Sequence, residues 1–346
     1  MDTDCLVLVN AKSGGGHPEG DAGKLAARFA AAGLRADVRV LEPEDDIGGL
    51  VRDALRRGVR LVVGGGGDGT INQVAAALAD SPARLGVLPL GTLNHFAKDL
   101  GLPLELEDAI AVIAAGNTAP VDAAQVNDRL FLNNSGIGLY PDVVKERESQ
   151  QRRLGRGKWL AFVWACVAAL RRFPFLQVRV EAAGQTHDYG SAFVFIGNNC
   201  YEMEGLRIGE RAALDQGTLS LYLSRDTGRM GLVALALRAL FGQLAGAPGL
   251  ASMEAGEITI ETHHAELDVS VDGEVARMRT PLRYRSRPGA LTVCVPVQRV
   301  RHDLPAPARA AVDATPAASD PLPPPDPIPD ALPAAASLDG PLPVGT

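Results

Sequence analysis

At 346 residues the chain is long enough for two domains with cores of their own. Its formal charge of −7 excludes a general nucleic-acid binder, and six acids against one Arg in residues 303–346 account for −5 of it, which leaves the rest nearly neutral. Four cysteines, Cys5, Cys166, Cys200 and Cys294, share no C-x-x-C spacing and read as reduced core residues of a cytoplasmic protein; Met1 to Asp4 lack the basic start of a signal peptide.

In chain order, residues 5–9 (CLVLV) read as a strand that ends in a turn running from Asn10 to Gly16. Lys24 to Ala32 is a helical stretch, Ala36 to Leu41 a strand, and Ile47 to Arg57 a second helix. Val59 to Val63 has the look of a short buried strand, and the four glycines Gly64 to Gly67 after it predict a strand-to-helix turn, because Ile71, Val74, Ala75 and Leu78 recur at helical spacing. Glycine permits close approach of a ligand to the backbone, and a helix start offers unpaired N–H groups, so the turn predicts a phosphate cradle. Gly64, Gly66 and Gly69 satisfy G-x-G-x-x-G, yet the next strand, Leu85 to Leu88, ends in Pro89, Leu90 and Gly91 with no acid to bind a ribose. No G-K-[ST] follows any glycine loop, which excludes a Walker A site.

Pro89 to Ala97 forms a third loop on the same sheet edge, so strands alternating with helices predict a parallel, doubly wound sheet with its site at the strands' carboxyl ends. Beyond residue 122, Val126–Leu132, Gln177–Ala182, Ser191–Gly197, Gly217–Leu223, Glu257–Thr262 and Glu266–Val271 read as strands with few helices between them, which suggests an antiparallel second domain. Ala290 to Val297 is expected to return to the first domain. Trp159 to Leu170, about 18 Å long as a helix, is too short to span a bilayer and is flanked by arginines. It suits either a packed helix or a surface lying on lipid headgroups, with Met230 to Leu244 the weaker candidate. From Asp303 the Pro- and Ala-rich composition predicts a disordered tail.

Gly66-Gly67-Asp68-Gly69-Thr70, followed by Gly91-Thr92-Leu93-Asn94 with Phe96-Ala97, resembles the catalytic domain of the diacylglycerol kinase family, in its bacterial soluble lipid kinase branch. Asn10 to Gly14 is similar to that family's first phosphate loop, and Asp272-Gly273-Glu274 to its late acidic motif. The resemblance spans roughly residues 4–302. It implies an α/β nucleotide-binding domain over 1–122, completed by 285–302, and a β-sandwich lipid-substrate domain over 123–284, with the active site in the cleft between them. It also implies ATP and Mg²⁺ as cofactors, a lipid with a free hydroxyl as acceptor, and peripheral contact with a membrane surface; a homodimer is left open.

Phosphoryl transfer to an alcohol needs fixed nucleotide phosphates, a divalent ion and a carboxylate near the acceptor hydroxyl. The candidate nucleotide set is Asn10, Ala11, Lys12, Ser13, Gly14, Gly66, Gly67, Asp68, Gly69, Thr70, Ile71, Asn72, Thr92 and Asn94. Asp68 serves either Mg²⁺ or the shape of the loop, since two anions in contact repel. By resemblance Asp272-Gly273-Glu274 supplies the general base; read as a strand end, it puts Asp272 and Glu274 on one face, and either is eligible. The motif taken alone would more often be a hairpin turn with solvated acids. Asp122 either faces the cleft or caps a turn. Asp215 and Gln216 are the candidate metal ligands, in a loop that resembles a structural Mg²⁺ site of some relatives; Gln216 stands where those have an acid, and a lost carboxylate weakens such a site. Ala11 replaces the family's Pro, and His95 its Asp. The rival readings are a soluble-substrate kinase of the NAD kinase type and a nucleotide-binding regulatory module without transfer chemistry.

Overall fold

The computed structural model describes residues 3–10, 21–138, 175–202, 211, 213–225, 228–240, 243–244 and 246–297. Ala11, Lys12, Ser13 and Gly14, the apolar stretch Trp159–Leu170, Cys166 and the Pro-rich tail lie outside them.

The chain begins β1 (Cys5–Val9), α1 (Ala22–Ala31), β2 (Ala36–Val40), α2 (Ile47–Arg56), β3 (Leu61–Gly66), α3 (Asp68–Leu78), β4 (Arg84–Pro89), α4 (His95–Asp99), α5 (Leu106–Ala115). Strand order runs β2-β1-β3-β4, all parallel. β1 shows why both faces are covered. Its alternate residues Leu6 and Leu8 join a core with Val51 and Ala54 of α2 and Ile71 and Val74 of α3. Cys5, Val7 and Val9 face the other way, against Leu25 and Phe29 of α1 and Ile110 and Ile113 of α5. This is the doubly wound lobe that the alternating pattern predicts, and Cys5 is buried in it with an unpaired thiol.

The second half is built from β5 (Thr118–Val126), β6 (Arg129–Phe131), β7 (Asn134–Gly138), β8 (Leu176–Ala182), β9 (Gln185–Ser191), β10 (Phe193–Asn198), β11 (Leu219–Ser224), α6 (Arg229–Leu240), β12 (Leu250–Ala255), β13 (Glu257–Thr262), β14 (Glu266–Val271), β15 (Glu274–Arg279) and β16 (Leu282–Cys294). An antiparallel sheet, β12-β11-β10-β7-β14-β15, packs on the far part of the first sheet, β16-β13-β8-β9. Val194, Ile196, Leu221, Val269 and Val271 from one layer meet Val178, Val180, Ile258, Ile260 and Tyr284 from the other, which makes the sandwich core.

β16 joins the two lobes. Its first half pairs antiparallel with β13, and its end pairs parallel with β4 through Thr292 and Val293. The register against β5 shifts between Arg287 and Leu291, a bulge that turns the strand from one lobe into the other. The strand is therefore longer than the Ala290–Val297 segment predicted from hydropathy, because its Arg-rich first half alternates with buried Leu282 and Tyr284.

Val126–Leu132 is not one strand. Asn127 takes a φ of 50° and reverses the chain between β5 and β6, a turn that Asn tolerates at little cost. Among the described residues no helix is long and apolar enough to cross a membrane.

Candidate active site

The glycine run divides its work differently from the turn predicted for it. Gly64 and Gly65 are paired strand residues of β3, opposite Val87 and Leu88. A side-chain carbon on Gly64 would stand 3.5 Å from Val74, so its absence lets α3 lie close on the strand. The turn itself is Gly67, the N-cap of α3, which offers no side chain to cap the helix. The first-turn amides of Asp68, Gly69 and Thr70 have no intrahelical acceptor, and together with the helix dipole they suit phosphate oxygens. Asn10, at the end of β1, reaches the same turn through Nδ2 on Thr70 Oγ1 at 3.5 Å. Ile71 and Asn72 are buried below it; Asn72 Nδ2 donates to Leu130 O at 3.4 Å, and its Oδ1 has no hydrogen-bond partner.

The third loop touches this turn backbone to backbone. A side-chain carbon at Gly91 would fall 2.5 Å from the Gly67 Cα, so no larger residue fits without moving one loop. Asn94, in the left-handed conformation at φ 51°, accepts from Gly91 N (2.9 Å) and donates to Pro89 O (3.0 Å) and Gly91 O (2.8 Å). Its side chain thus shapes the loop from within, while Thr92 is exposed at the tip. Asp68 also points into the loop. Its carboxylate accepts from His95 N (3.3 Å) and Phe96 N (3.2 Å) at the start of α4. Of the two roles open to Asp68, the geometry is that of a loop tie, and the His95 side chain lies exposed beside it.

Asp272 and Glu274 do not share a strand face. β14 ends at Val271 and β15 starts at Glu274, with Asp272 (φ 47°) and Gly273 (φ 84°) as a two-residue hairpin turn. Two successive positive φ angles demand this Asp-Gly chemistry, and a turn replaces the alternation of a strand. Neither acid is merely solvated. Asp272 Oδ1 accepts from Asn133 N (2.8 Å) and Asn134 N (3.0 Å), and Oδ2 from Leu132 N (2.8 Å). Burial pushes its pKa up to about 6, against the opposing pull of those three amides and of Arg211. Glu274 is half exposed and pairs with Arg129 of β6; its Oε1 lies 3.0 Å from where a side-chain carbon on Gly69 would stand. The hairpin of the sandwich therefore meets the first turn of α3.

A cluster absent from the sequence reading lies behind Asp272. The Arg211 side chain is fully buried; its Nε and Nη2 donate to Asp99 Oδ2 (2.9 and 2.6 Å), and Nη1 donates to Leu132 O (2.7 Å) and Asn198 O (3.1 Å). Nη2 also reaches Asn133 Oδ1 at 2.7 Å, and the guanidinium sits 5.6 Å from the Tyr201 ring centroid. Burial works against its charge, but Tyr201, Asp99 and Asp272 hold its pKa above the usual range. Spacing gave no signal, since 112 residues separate the partners.

Asp122 is the turn-capping alternative realised. It is buried, and its oxygens accept from Gly217 N (2.6 Å) and Gly289 N (2.8 Å), fastening the 213–218 loop to the bulge of β16. Asp215 and Gln216, the candidate metal ligands, lie on that same loop. Gln216 Oε1 accepts from Cys200 N at 3.3 Å, and Asp215 is exposed. Among the described residues no three His, Cys, Asp or Glu side chains converge as a metal group, and Asp68 already accepts two amides. A site held by a single side-chain acid is not such a group, so Asp215 stays a proposed ligand, and no step below is routed through a resident Mg²⁺.

Fold and site together define a two-lobed protein in which a parallel α/β lobe presents glycine-rich loops to an acid-bearing hairpin of a β-sandwich. Residues 4–126 match the diacylglycerol kinase catalytic domain, and residues 138–295 match the YegS C-terminal NAD kinase beta sandwich-like domain. A relative from Pseudomonas aeruginosa named "Probable lipid kinase YegS-like" is 33% identical over 305 residues, 86% of this chain and 96% of that one. A relative of the same name from Serratia proteamaculans is 34% identical over 229 residues, 63% of this chain and 72% of its own. A crystal structure of a diacylglycerol kinase from Bacillus anthracis str. Sterne superposes with a TM-score of 0.67 at 24% identity, over 86% of this chain and 99% of that one, a likeness of fold. The chain belongs to the YegS-like branch of the diacylglycerol kinase catalytic-domain family.

Proposed function

We propose that the protein is an ATP-dependent lipid kinase that transfers the γ-phosphate to a hydroxyl of a diacylglycerol-like membrane lipid. The observation that carries this reading is the approach of the Asp272–Glu274 hairpin to the first turn of α3, with Glu274 Oε1 over Gly69. A carboxylate set against a phosphate-type helix start meets two needs of transfer to an alcohol, fixed phosphates and an acid near the acceptor hydroxyl.

In this reading α3, Asn10 and the loop ending in Asn94 hold the triphosphate, within the lobe of residues 1–122 that residues 285–302 complete. Residues 123–284 hold the acceptor. Asp272 is the general base: Oδ2 accepts a single amide and keeps a lone pair for the hydroxyl proton, and a pKa near 6 leaves it ionised at neutral pH. Glu274, neutralised by Arg129, sets the position of the hairpin against the terminal phosphate. Mg²⁺ arrives as the companion of the triphosphate. The protein works in the cytoplasm and meets the bilayer peripherally, and α6 supports this by exposing Met230 and Leu237.

Transfer of label from γ-labelled ATP with Mg²⁺, into a total lipid extract in mixed micelles with NAD as parallel acceptor, tests the reading. Label in an organic-soluble product is expected. Label in NAD alone would replace the lipid reading with the soluble-substrate one.

A further inference from the structure

The short helix α4 connects the two halves of the site. At its start, the amides of His95 and Phe96 donate to Asp68, which stands in the first turn of α3. At its end, Asp99 takes two donors from Arg211. Arg211 in turn grips Leu132 O and Asn133 Oδ1, and the amides of those same two residues hold the Asp272 carboxylate. Tyr201 closes the cluster, its hydroxyl donating to Asn133 O at 3.0 Å. Polar contacts at both ends of α4, joined through the body of that helix, thus lead from the nucleotide loop to the acid on the opposite lobe.

We propose that Arg211 is a positioning residue which, with Asp99, couples the geometry of the nucleotide loop to the orientation of the Asp272 carboxylate. For the role of Asp272 the inference rests on the reading above; for the coupling itself it rests on the contacts alone. A buried clamp could hold two lobes together with one ion pair. Here the guanidinium spends its five hydrogen bonds on three separate segments, and two of those bonds fix the residues that hold the acid. The planar fork of Arg can satisfy such a set, whereas the Lys ammonium, with three donors on one atom, cannot. When triphosphate settles on the first turn of α3, any shift of Asp68 moves α4 as a body. Asp99 and Arg211 then carry the shift to residues 132–134.

The test uses the full chain and two readouts. Hydrogen exchange of the Leu132, Asn133 and Asn134 amides is followed with and without a non-hydrolysable ATP analogue and Mg²⁺, in wild type, Arg211→Lys and Asp99→Asn. Exchange at β1 and β3 serves as the control for folding. In wild type the analogue is expected to slow the three amides at least about fivefold, in the range of ordinary coupling between sites. In both variants, with the analogue still bound and the β1 and β3 protection kept, the slowing should fall below about twofold. The same slowing in the variants, or none in wild type, overturns the proposal.

The second readout is turnover on dioctanoylglycerol in mixed micelles. There Arg211→Lys should lower kcat at least about tenfold while KM for ATP stays within about threefold, as expected for a misplaced base and an intact nucleotide site. Equal losses in both constants would mark a clamp only and overturn the coupling. A wild type that transfers nothing to this lipid counts against the proposed function, and the exchange result then decides the coupling by itself.

Discussion

Glu274 Oε1 lies 3.0 Å from the position a side-chain carbon on Gly69 would take, so the acid of one lobe rests on the helix start of the other. Gly69→Ala should therefore act on the cleft more than on the fold. Ala favours a helix over Gly by roughly 1 kcal/mol, and Glu274 is a flexible side chain that can give way by a few tenths of an ångström. Thermal unfolding is expected to stay level or rise slightly, while turnover falls at least about tenfold because the Glu274 carboxylate is displaced. Unchanged turnover in the stable variant would separate Glu274 from the chemistry.

Gly91→Ala meets backbone rather than a side-chain tip. The new carbon would stand 2.5 Å from Gly67 Cα and 2.8 Å from Asn94 Oδ1, so one of the two loops must move. Overpacking of this kind costs about 1–3 kcal/mol. Calorimetry should show that loss, and titration should show ATP affinity at least about tenfold weaker, since the loop geometry and not a side-chain contact is disturbed.

Asp272 makes stability depend on pH in a stated direction. Its pKa rises from 3.8 to about 6, with burial as the main cause, so the folded state binds the proton more tightly than the unfolded chain. The contribution of this group is present below pH about 4, declines as the pH rises, and is lost above about 6, a change on the order of 2–3 kcal/mol. In Asp272→Asn that decline should disappear from urea unfolding measured between pH 4.5 and 7. The same variant exchanges a charged acceptor of three amides for a group with one oxygen, which costs about 1.5–3 kcal/mol at neutral pH. Its turnover should drop by roughly 10² to 10⁴. A pH-independent difference between the two proteins would mean the carboxylate is not the titrating group.

The loop carrying Asp215 and Gln216 gives a metal prediction. Gln216 Oε1 accepts from Cys200 N, and Asp215 is exposed. Millimolar Mg²⁺ without nucleotide should leave the thermal midpoint where it was, and Asp215→Ala should not alter the Mg²⁺ dependence of turnover. A midpoint that climbs with Mg²⁺ alone, and stops climbing in Asp215→Ala, would restore that loop as a cation site.

Sequence was informative where a single period or a local turn decides the structure. β1, α2, β13 and β14 fall within a residue of the segments predicted for them, because each carries one unbroken pattern of apolar spacing. The loops after β3 and β4 were legible through their glycines, although Gly64 and Gly65 proved to be strand residues, the first of which admits α3. The Asp272-Gly273 turn was misread as a strand end, since the flanking residues Val271 and Val275 alternate straight through it. β5 and β9 were missed because Pro120 and the polar run of Gln185 to Asp188 mask the strand pattern. Arg211 and Asp99 were invisible for a different reason: a long-range ion pair leaves no trace in spacing, and only the fold brings the two together.

The most direct test of the account compares wild type with Asp272→Asn for two quantities in one preparation, ATP affinity and transfer of γ-labelled phosphate into extracted lipid. The account predicts affinities within about threefold of each other, label in the organic phase for wild type, and at least about a hundredfold less label for the variant. Equal labelling by the two proteins, or a wild type that binds ATP and labels no lipid, would contradict it.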